Sequence, residues 1–147
     1  MRFPEAAKAS GLADALREGL KAVKNCDRGR LSGGRGLSGS IDLDEALKET
    51  LPVERRWDYL IGRKLDRQGD HLHCVEVHRA DVGEVRAMIG KKASLDGFLR
   101  GKRLAELPRS YHWIATDGHV CFPASAREAR QLAQAGILAP KRKLELN

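Results

Sequence analysis

Two strand-like runs decide the fold: residues 57–64 are Trp-Asp-Tyr-Leu-Ile-Gly-Arg-Lys, and residues 72–78 are Leu-His-Cys-Val-Glu-Val-His. Both runs are rich in aromatic and β-branched side chains, which favour strands. A polar turn over 66–70 separates them, so they predict an antiparallel hairpin. Because alternate residues of a strand share a face, we expect Glu76 and His78 to point the same way.

Hydrophobic periodicity and capping patterns predict further elements on both sides of the hairpin. In chain order they are a helix over 1–24, a helix from about 82 to the low nineties behind an Asp81-Glu84 capping box, strands over 111–116 and 119–122 around an Asp117-Gly118 turn, and a helix from Ser125 to Ala135 that Gly136 ends. This order predicts an α/β or α+β fold, in which helices flank a small central mixed sheet. We expect a single domain over 1–140 and a loose basic tail over 141–147.

The charge balance favours a polyanionic partner. The chain has 147 residues and a formal net charge of +7, from 27 Lys and Arg against 20 Asp and Glu. Segment 26–40 combines glycines with Arg28, Arg30 and Arg35, which predicts a flexible basic loop that closes on a phosphate backbone. A solvated basic face and a surface linker are the alternative interpretations. We expect nucleic acid as the partner, bound through these three arginines.

Several classes of protein are disfavoured. No run approaches the roughly twenty apolar residues of a membrane span, and Glu5 and Lys8 interrupt the N-terminal segment where a signal peptide is apolar. The three cysteines are an odd number, which argues against a disulfide framework. We therefore expect a cytoplasmic protein without a membrane partner. The histidines and cysteines lack the paired spacing of a zinc site, so we expect Cys74 to be a core residue and His73 a surface residue. The chain has neither a P-loop nor a nucleophile elbow.

Asp58 and Glu76 are the leading candidates for chemistry. A carboxylate in a strand needs a positive partner, and a Glu between Val75 and Val77 of a central strand is seldom buried without a function. Two carboxylates on neighbouring strands can hold Mg²⁺ or Mn²⁺, whose charge offsets that of a phosphodiester under attack. The alternative for Asp58 is an ion pair with one of the nearby arginines, which are Arg55, Arg56 and Arg63.

This arrangement resembles the core of the PD-(D/E)XK nuclease superfamily, which has the restriction-endonuclease-like fold. A first helix, a strand with Asp58, a strand with Glu76-Val77-His78, a helix and a further strand follow one another over residues 5–122. The resemblance implies that Asp58 and Glu76 bind the metal. It also implies that the residue two positions after the Glu orients or activates the attacking water.

The third position of the motif departs from the family, because His78 stands where the family has Lys. A neutral imidazole lacks a permanent charge and can serve instead as a base or a metal ligand. Some members of the superfamily place the Lys on the following helix, so the resemblance implies that Lys91 or Lys92 takes the role. The alternative interpretation makes His78 a surface residue and the two lysines a solvated helix face.

Segment 37–54 reverses the charge of the chain. Its acids are Asp42, Asp44, Glu45, Glu49 and Glu54, and its one base is Lys48. Asp42 and Glu45 are typical of a capping box that begins a helix running to Leu51. In the alternative, Asp42 and Asp44 share one face of an early strand and add a ligand to the metal site.

These patterns favour a metal-dependent nuclease-like protein that acts on nucleic-acid phosphodiesters. The first alternative is a non-catalytic nucleic-acid-binding or regulatory module on the same fold. The second is a protein-binding partner of the immunity or antitoxin type, whose acidic segment meets a basic target. A homodimer or a protein partner is compatible with each of them.

Overall fold

The computed structural model describes residues 1–116 and 126–146. It confirms a mixed α/β fold in which helices flank a five-stranded mixed sheet. The helices are α1 (Phe3–Ala9), α2 (Asn25–Arg28), α3 (Leu43–Ala46), α4 (Val85–Leu99) and α5 (Arg127–Ala135), and the strands are β1 (Leu16–Arg17), β2 (Leu31–Ser32), β3 (Leu37–Asp42), β4 (Tyr59–Leu65), β5 (Gly69–His78), β6 (Arg109–Ala115) and β7 (Leu144–Glu145). Short 3-10 turns connect several of them.

The predicted hairpin is confirmed and forms the middle of the sheet. The strand order is β1-β3-β4-β5-β6, and β3, β4 and β5 are antiparallel neighbours. On its other side β5 pairs in parallel with β6. A parallel pair needs a crossover connection, which α4 provides. The central strands β4 and β5 therefore carry partners on both edges.

The first face of the sheet packs against helices. Leu60 of β4 and Cys74 of β5 are fully buried there, together with Phe3 of α1 and Met88 of α4. The interpretation of Cys74 as a core residue is confirmed. Because strand residues alternate, Glu76 belongs to this same helix-covered face.

The opposite face of the sheet is covered by β2, β7 and the residues around them. These two strands pair in parallel, with Leu31 opposite Leu144. Leu144 is 8% exposed and Leu146 is 1% exposed, and both belong to a cluster that includes Ile61 of β4. The expectation of a loose tail is therefore wrong for residues 141–146, because Leu144 and Leu146 alternate with a polar residue and give this segment a buried side.

Segment 26–40, predicted as a loop without regular elements, contains the end of α2, all of β2 and most of β3. The glycines of this segment are typical of a loop, and for this reason the sequence did not predict β3. Gly39 in β3 has a φ of 150°, and a Cβ atom built there lies only 3.1 Å from the carbonyl oxygen of Arg17 in β1. The positive φ and this close approach of β1 both favour glycine, so glycine here serves strand pairing rather than flexibility.

The N-terminal helix is much shorter than the predicted 1–24. After α1 the chain turns at Gly11, which has a φ of 83°, and the N–H of Leu12 donates to the carbonyl of Ala7 (3.0 Å). This glycine-based helix end precedes the edge strand β1. The leucine spacing beyond it therefore reflects packing of turns and a strand rather than one helical face.

The predicted helix after the hairpin is confirmed with different bounds. A 3-10 turn over Val82–Glu84 precedes α4, which passes through Gly90 without a break. The predicted capping box does not form, because the Asp81 side chain makes no cap bond and its Oδ2 instead pairs with Arg79 Nε (2.8 Å).

The C-terminal elements agree in part with the prediction. The strand predicted over 111–116 is confirmed as β6, and α5 ends at Gly136, which has a φ of 80°. The Asp117-Gly118 turn, the strand over 119–122 and the cap at Ser125 lie outside the described residues. Within 1–116 and 126–146, no helix has the length and apolar character needed to cross a bilayer.

Candidate active site

Asp58 and Glu76 lie opposite each other on adjoining strands. In the register of β4 and β5, Tyr59 faces Val75, and one further step along the antiparallel pair places Asp58 opposite Glu76. The sequence predicted Asp58 inside this strand, whereas in the structure Asp58 immediately precedes β4. The structure therefore brings the two acids together on the helix-covered face.

Main-chain hydrogen bonds hold both carboxylates. The N–H of Asp58 donates to Glu76 Oε1 (3.0 Å), and the N–H of Val77 donates to Asp58 Oδ2 (2.9 Å). The carbonyl of Asp58 accepts from the N–H of Leu43 at the start of α3 (2.8 Å). Each acid is thus bonded to the backbone of the other's strand, so strand pairing fixes their relative position.

Lys91 of α4 completes the group. Its Nζ lies 2.5 Å from Glu76 Oε2, and its side chain is 16% exposed, against 1% for Glu76. Met88 and Leu95, three residues before it and four after, are both buried. Helical spacing therefore places Lys91 in the inward stripe of α4, and the interpretation of Lys91 as part of a solvated helix face is wrong.

The two carboxyls are held in a poorly hydrated setting. Burial raises the pKa of Glu76 well above its ordinary value, the Asp58 carboxylate raises it further, and Lys91 opposes the rise. Burial also raises the pKa of Asp58, against the opposing hydrogen bond from Val77 and the charge of Lys91. The pair therefore has a strong demand for positive charge, of which Lys91 supplies one unit.

His78 does not join this group. Its Nε2 lies 2.9 Å from Glu84 Oε2, just before α4, and its carbonyl accepts from Trp113 Nε1 (3.1 Å). The hydrogen bond with His78 helps to lower the pKa of Glu84. The imidazole is thus bound to the 3-10 turn that precedes α4, although His78 shares a strand with Glu76.

Lys92 points to a different partner from its neighbour. Its Nζ lies 2.8 Å from Asp96 Oδ2 and 4.5 Å from the centre of the Tyr111 ring. The Tyr111 hydroxyl donates to Asp96 and accepts from Arg109 Nε (2.8 Å). This network ties α4 to β6, and it leaves Lys92 outside the carboxylate pair.

The arginines proposed as partners of Asp58 have other contacts or form no ion pair with it. Arg56 Nε lies 2.7 Å from Asp44 Oδ1. In the described part of the chain, no arginine forms a salt bridge with Asp58. Asp42 caps α3 by accepting from the N–H of Glu45 (3.0 Å), which confirms the cap, although α3 ends at Ala46 and not at Leu51.

Three histidines form a separate cluster on the opposite face of β5 and β6. His73 Nδ1 lies 2.8 Å from His112 Nε2, and the His71 and His73 rings are 4.8 Å apart. Burial lowers the pKa of His73 to about 3 and that of His112 to about 4, and repulsion between the imidazoles contributes to both. His73 is thus a half-buried residue and not the surface residue that the sequence predicted. Across 1–116 and 126–146, no group of three or more His, Cys, Asp or Glu side chains is arranged to hold a metal.

The three arginines expected to bind nucleic acid are not equivalent. The Arg28 guanidinium donates to the Val23 carbonyl (3.1 Å), and Arg30 Nη1 donates to the Ala115 carbonyl (3.4 Å). Arg35 is exposed in the turn before β3. Arg30 therefore ties its segment to β6, whereas Arg28 and Arg35 are both exposed.

Comparison with family models, with curated proteins and with solved structures gave no match to this chain. Any function assigned to the site therefore depends on the geometry of this chain's own residues. The part that the sequence did not indicate is the exchange of main-chain bonds between Asp58 and the Glu76 strand. The one available signal was the register of the hairpin, which depends on the length of its turn.

Proposed function

We propose that the chain is a metal-dependent nuclease-like protein that acts on nucleic-acid phosphodiesters. The observation that carries this proposal is the convergence of half-buried Asp58 just before β4, buried Glu76 in β5 and Lys91 in α4. Strongly perturbed acids beside a lysine are typical of catalytic groups. The sequence of a first helix, an antiparallel acid-bearing hairpin, a crossover helix and a parallel strand supports the resemblance to the PD-(D/E)XK superfamily.

The donor set fits a hard divalent cation. Both acids offer oxygen ligands, which Mg²⁺ and Mn²⁺ prefer. Burial raises the pKa of both carboxyls, so their ionised forms are unfavourable unless a nearby cation compensates the charge. Mg²⁺ commonly keeps several waters and uses only one or two carboxylates, so a third protein ligand is not required. Asp58 and Glu76 would hold the ion. When bound, it would supply positive charge that offsets the charge building up on the phosphate.

The chain's own groups have distinct tasks in this proposal. The N–H groups of Asp58 and Val77 fix the carboxylates before substrate arrives, so little reorganisation is needed. Lys91 is the only ammonium paired with these acids in the described residues, and it can orient a water or stabilise an oxyanion. His78 and Lys92 are assigned no catalytic task, because their side chains are bound elsewhere.

A non-catalytic nucleic-acid-binding or regulatory module is the second candidate. The ion pair between Lys91 and Glu76 already gives the buried carboxylate a partner, which is what a fold that has lost its chemistry would retain. Nucleic-acid binding in either case is supported by the net charge of +7 and by exposed cations such as Arg35. Cleavage separates the two candidates.

The decisive experiment compares Glu76→Gln with wild-type protein on single- and double-stranded DNA and RNA, with Mg²⁺ or Mn²⁺. The amide keeps the shape and the bond from Asp58 N–H but not the charge, so we expect a folded protein that has lost cleavage. Glu49→Gln, at an exposed acid, is the matched control and should cleave like wild type. A wild-type protein that cuts none of these substrates contradicts the enzyme, and salt-dependent binding would then support the module.

A further inference from the structure

We infer that Lys91 is a competitor of the divalent cation, so that the ion site opens only when the lysine withdraws from Glu76. This inference rests on the proposed function, because it concerns regulation of the same carboxylate pair. The lysine then has two positions, one on Glu76 before the cation binds and one withdrawn from Glu76 afterwards, from which its ammonium can still orient a water or stabilise an oxyanion.

The hydrogen bonds of the carboxylates support this competition. Glu76 Oε1 accepts from Asp58 N–H, and Glu76 Oε2 lies 2.5 Å from Lys91 Nζ. Asp58 Oδ2 accepts from Val77 N–H. Three of the four carboxylate oxygens therefore already have donors. Two of the three donors are main-chain groups locked in strand pairing, so only the ammonium can leave without disturbing the sheet.

The charges point the same way. Two ionised carboxylates and one ammonium sum to a net charge of −1, whereas adding a divalent cation with Lys91 in place gives +1 in a buried setting. The Lys91 ammonium, in contact with Glu76, would then lie close to the positive charge of the cation, which is strongly unfavourable where water is excluded. Withdrawal of Lys91 removes that repulsion.

Lys91 also has a route out. Its side chain is 16% exposed while that of Glu76 is 1% exposed, so the ammonium lies on the solvent side of the carboxylate. A lysine side chain has a flexible four-carbon stem, and its tip can move without any change in α4. Glu76, by contrast, is held by the Asp58 N–H and has no comparable freedom.

The experiment measures Mg²⁺ affinity directly by calorimetry at pH 8.5, where protons compete less with the cation for these acids. The variants are Lys91→Met, which keeps the apolar stem, and Lys92→Met, the neighbouring control whose ammonium is bound to Asp96. We expect Lys91→Met to bind Mg²⁺ about tenfold more tightly than wild type, because the competing charge is gone. Lys92→Met should match wild type.

The outcomes distinguish this inference from the proposed function. Equal affinity in wild type and Lys91→Met would overturn the competition and leave the ion site standing. Absence of Mg²⁺ binding in both, with both folded by circular dichroism, would overturn the ion site and the competition together. Lys91→Gln replaces the methionine variant if the latter does not fold.

A second readout follows the lysine itself in wild-type protein. Reductive methylation of Lys91, quantified by mass spectrometry of its peptide, should increase when Mg²⁺ is added, because a withdrawn amine is more accessible. Lys92 provides the internal reference and should be modified equally with and without Mg²⁺. Methylation of Lys91 that stays constant while Mg²⁺ binds would overturn the inference.

Discussion

The two faces of β5 solve the same electrostatic problem in opposite ways. On the helix-covered face, buried Glu76 receives an ammonium from Lys91, so the acid has a charged partner. On the other face, His73 forms a hydrogen bond with the imidazole of His112, and burial keeps both rings neutral by lowering their pKa values. A counter-charge favours the ionised form of a buried group, and Lys91 accordingly opposes the burial that raises the pKa of Glu76. The proposed phosphodiester chemistry is assigned to the helix-covered face, where the buried acid has a cationic partner.

The faces should also respond oppositely to pH. Raised pKa values at Asp58 and Glu76 mean that the folded state holds protons more tightly than the unfolded chain, so this pair costs stability as pH rises through the shifted range. Lowered pKa values at His73 and His112 mean that the unfolded chain takes up protons first. The histidine pair therefore costs stability as pH falls below the ordinary histidine pKa.

The largest expected effect comes from removing the counter-charge. Lys91→Met should lower the free energy of unfolding by about 3 kcal/mol at pH 8.5 without divalent cations, because it leaves Glu76 buried and unpaired. The double variant Lys91→Met with Glu76→Gln should recover most of that loss. Urea denaturation of the two single variants and the double variant measures the coupling. Additive losses would show that the pair is not a coupled charge site.

The second-largest expected effect is the loss of stability that the buried neutral His73 causes at low pH. Wild-type protein should lose about 2 kcal/mol between pH 7 and pH 5 from His73 alone, because the unfolded chain binds a proton there that the folded state refuses. His73→Phe keeps a ring in the sheet and removes the titration, so its stability should fall less steeply over this range. Urea midpoints at half-unit pH steps measure the slope. Identical slopes in the two proteins would contradict a neutral buried His73.

How far the sequence predicts these two faces depends on how local the signal is. The hairpin, the pairing of Asp58 with Glu76 and the helix that carries Lys91 follow from alternation and helical periodicity within short windows. The partner of His73 does not, because His112 lies on β6 and reaches it only through the parallel pairing of the strands. Patterns within one sequence do not show which distant strands pair with each other.

Two segments outside the hairpin were mispredicted for the same reason. Gly39 and the glycines before it are typical of a loop, yet Gly39 sits in β3 because β1 passes close to it. Leu144 and Leu146 lie among basic residues that suggest a loose tail, and only the long-range pairing of β7 with β2 buries them. Both errors concern segments whose structure depends on contacts distant in the sequence.

The smallest expected effect tests whether adjacent lysines have separate roles. Lys92→Met should cost about 1 kcal/mol, because it removes an ion pair with half-buried Asp96 and the contact over the Tyr111 ring. It should leave Mg²⁺ affinity and any cleavage unchanged, since Lys92 does not contact the acids. Lys91→Met should instead change both. If Lys92→Met abolished cleavage in a protein of near-normal stability, the catalytic lysine would have to be reassigned to the network of α4 with β6, and the contrast between the two faces of β5 would no longer locate the chemistry.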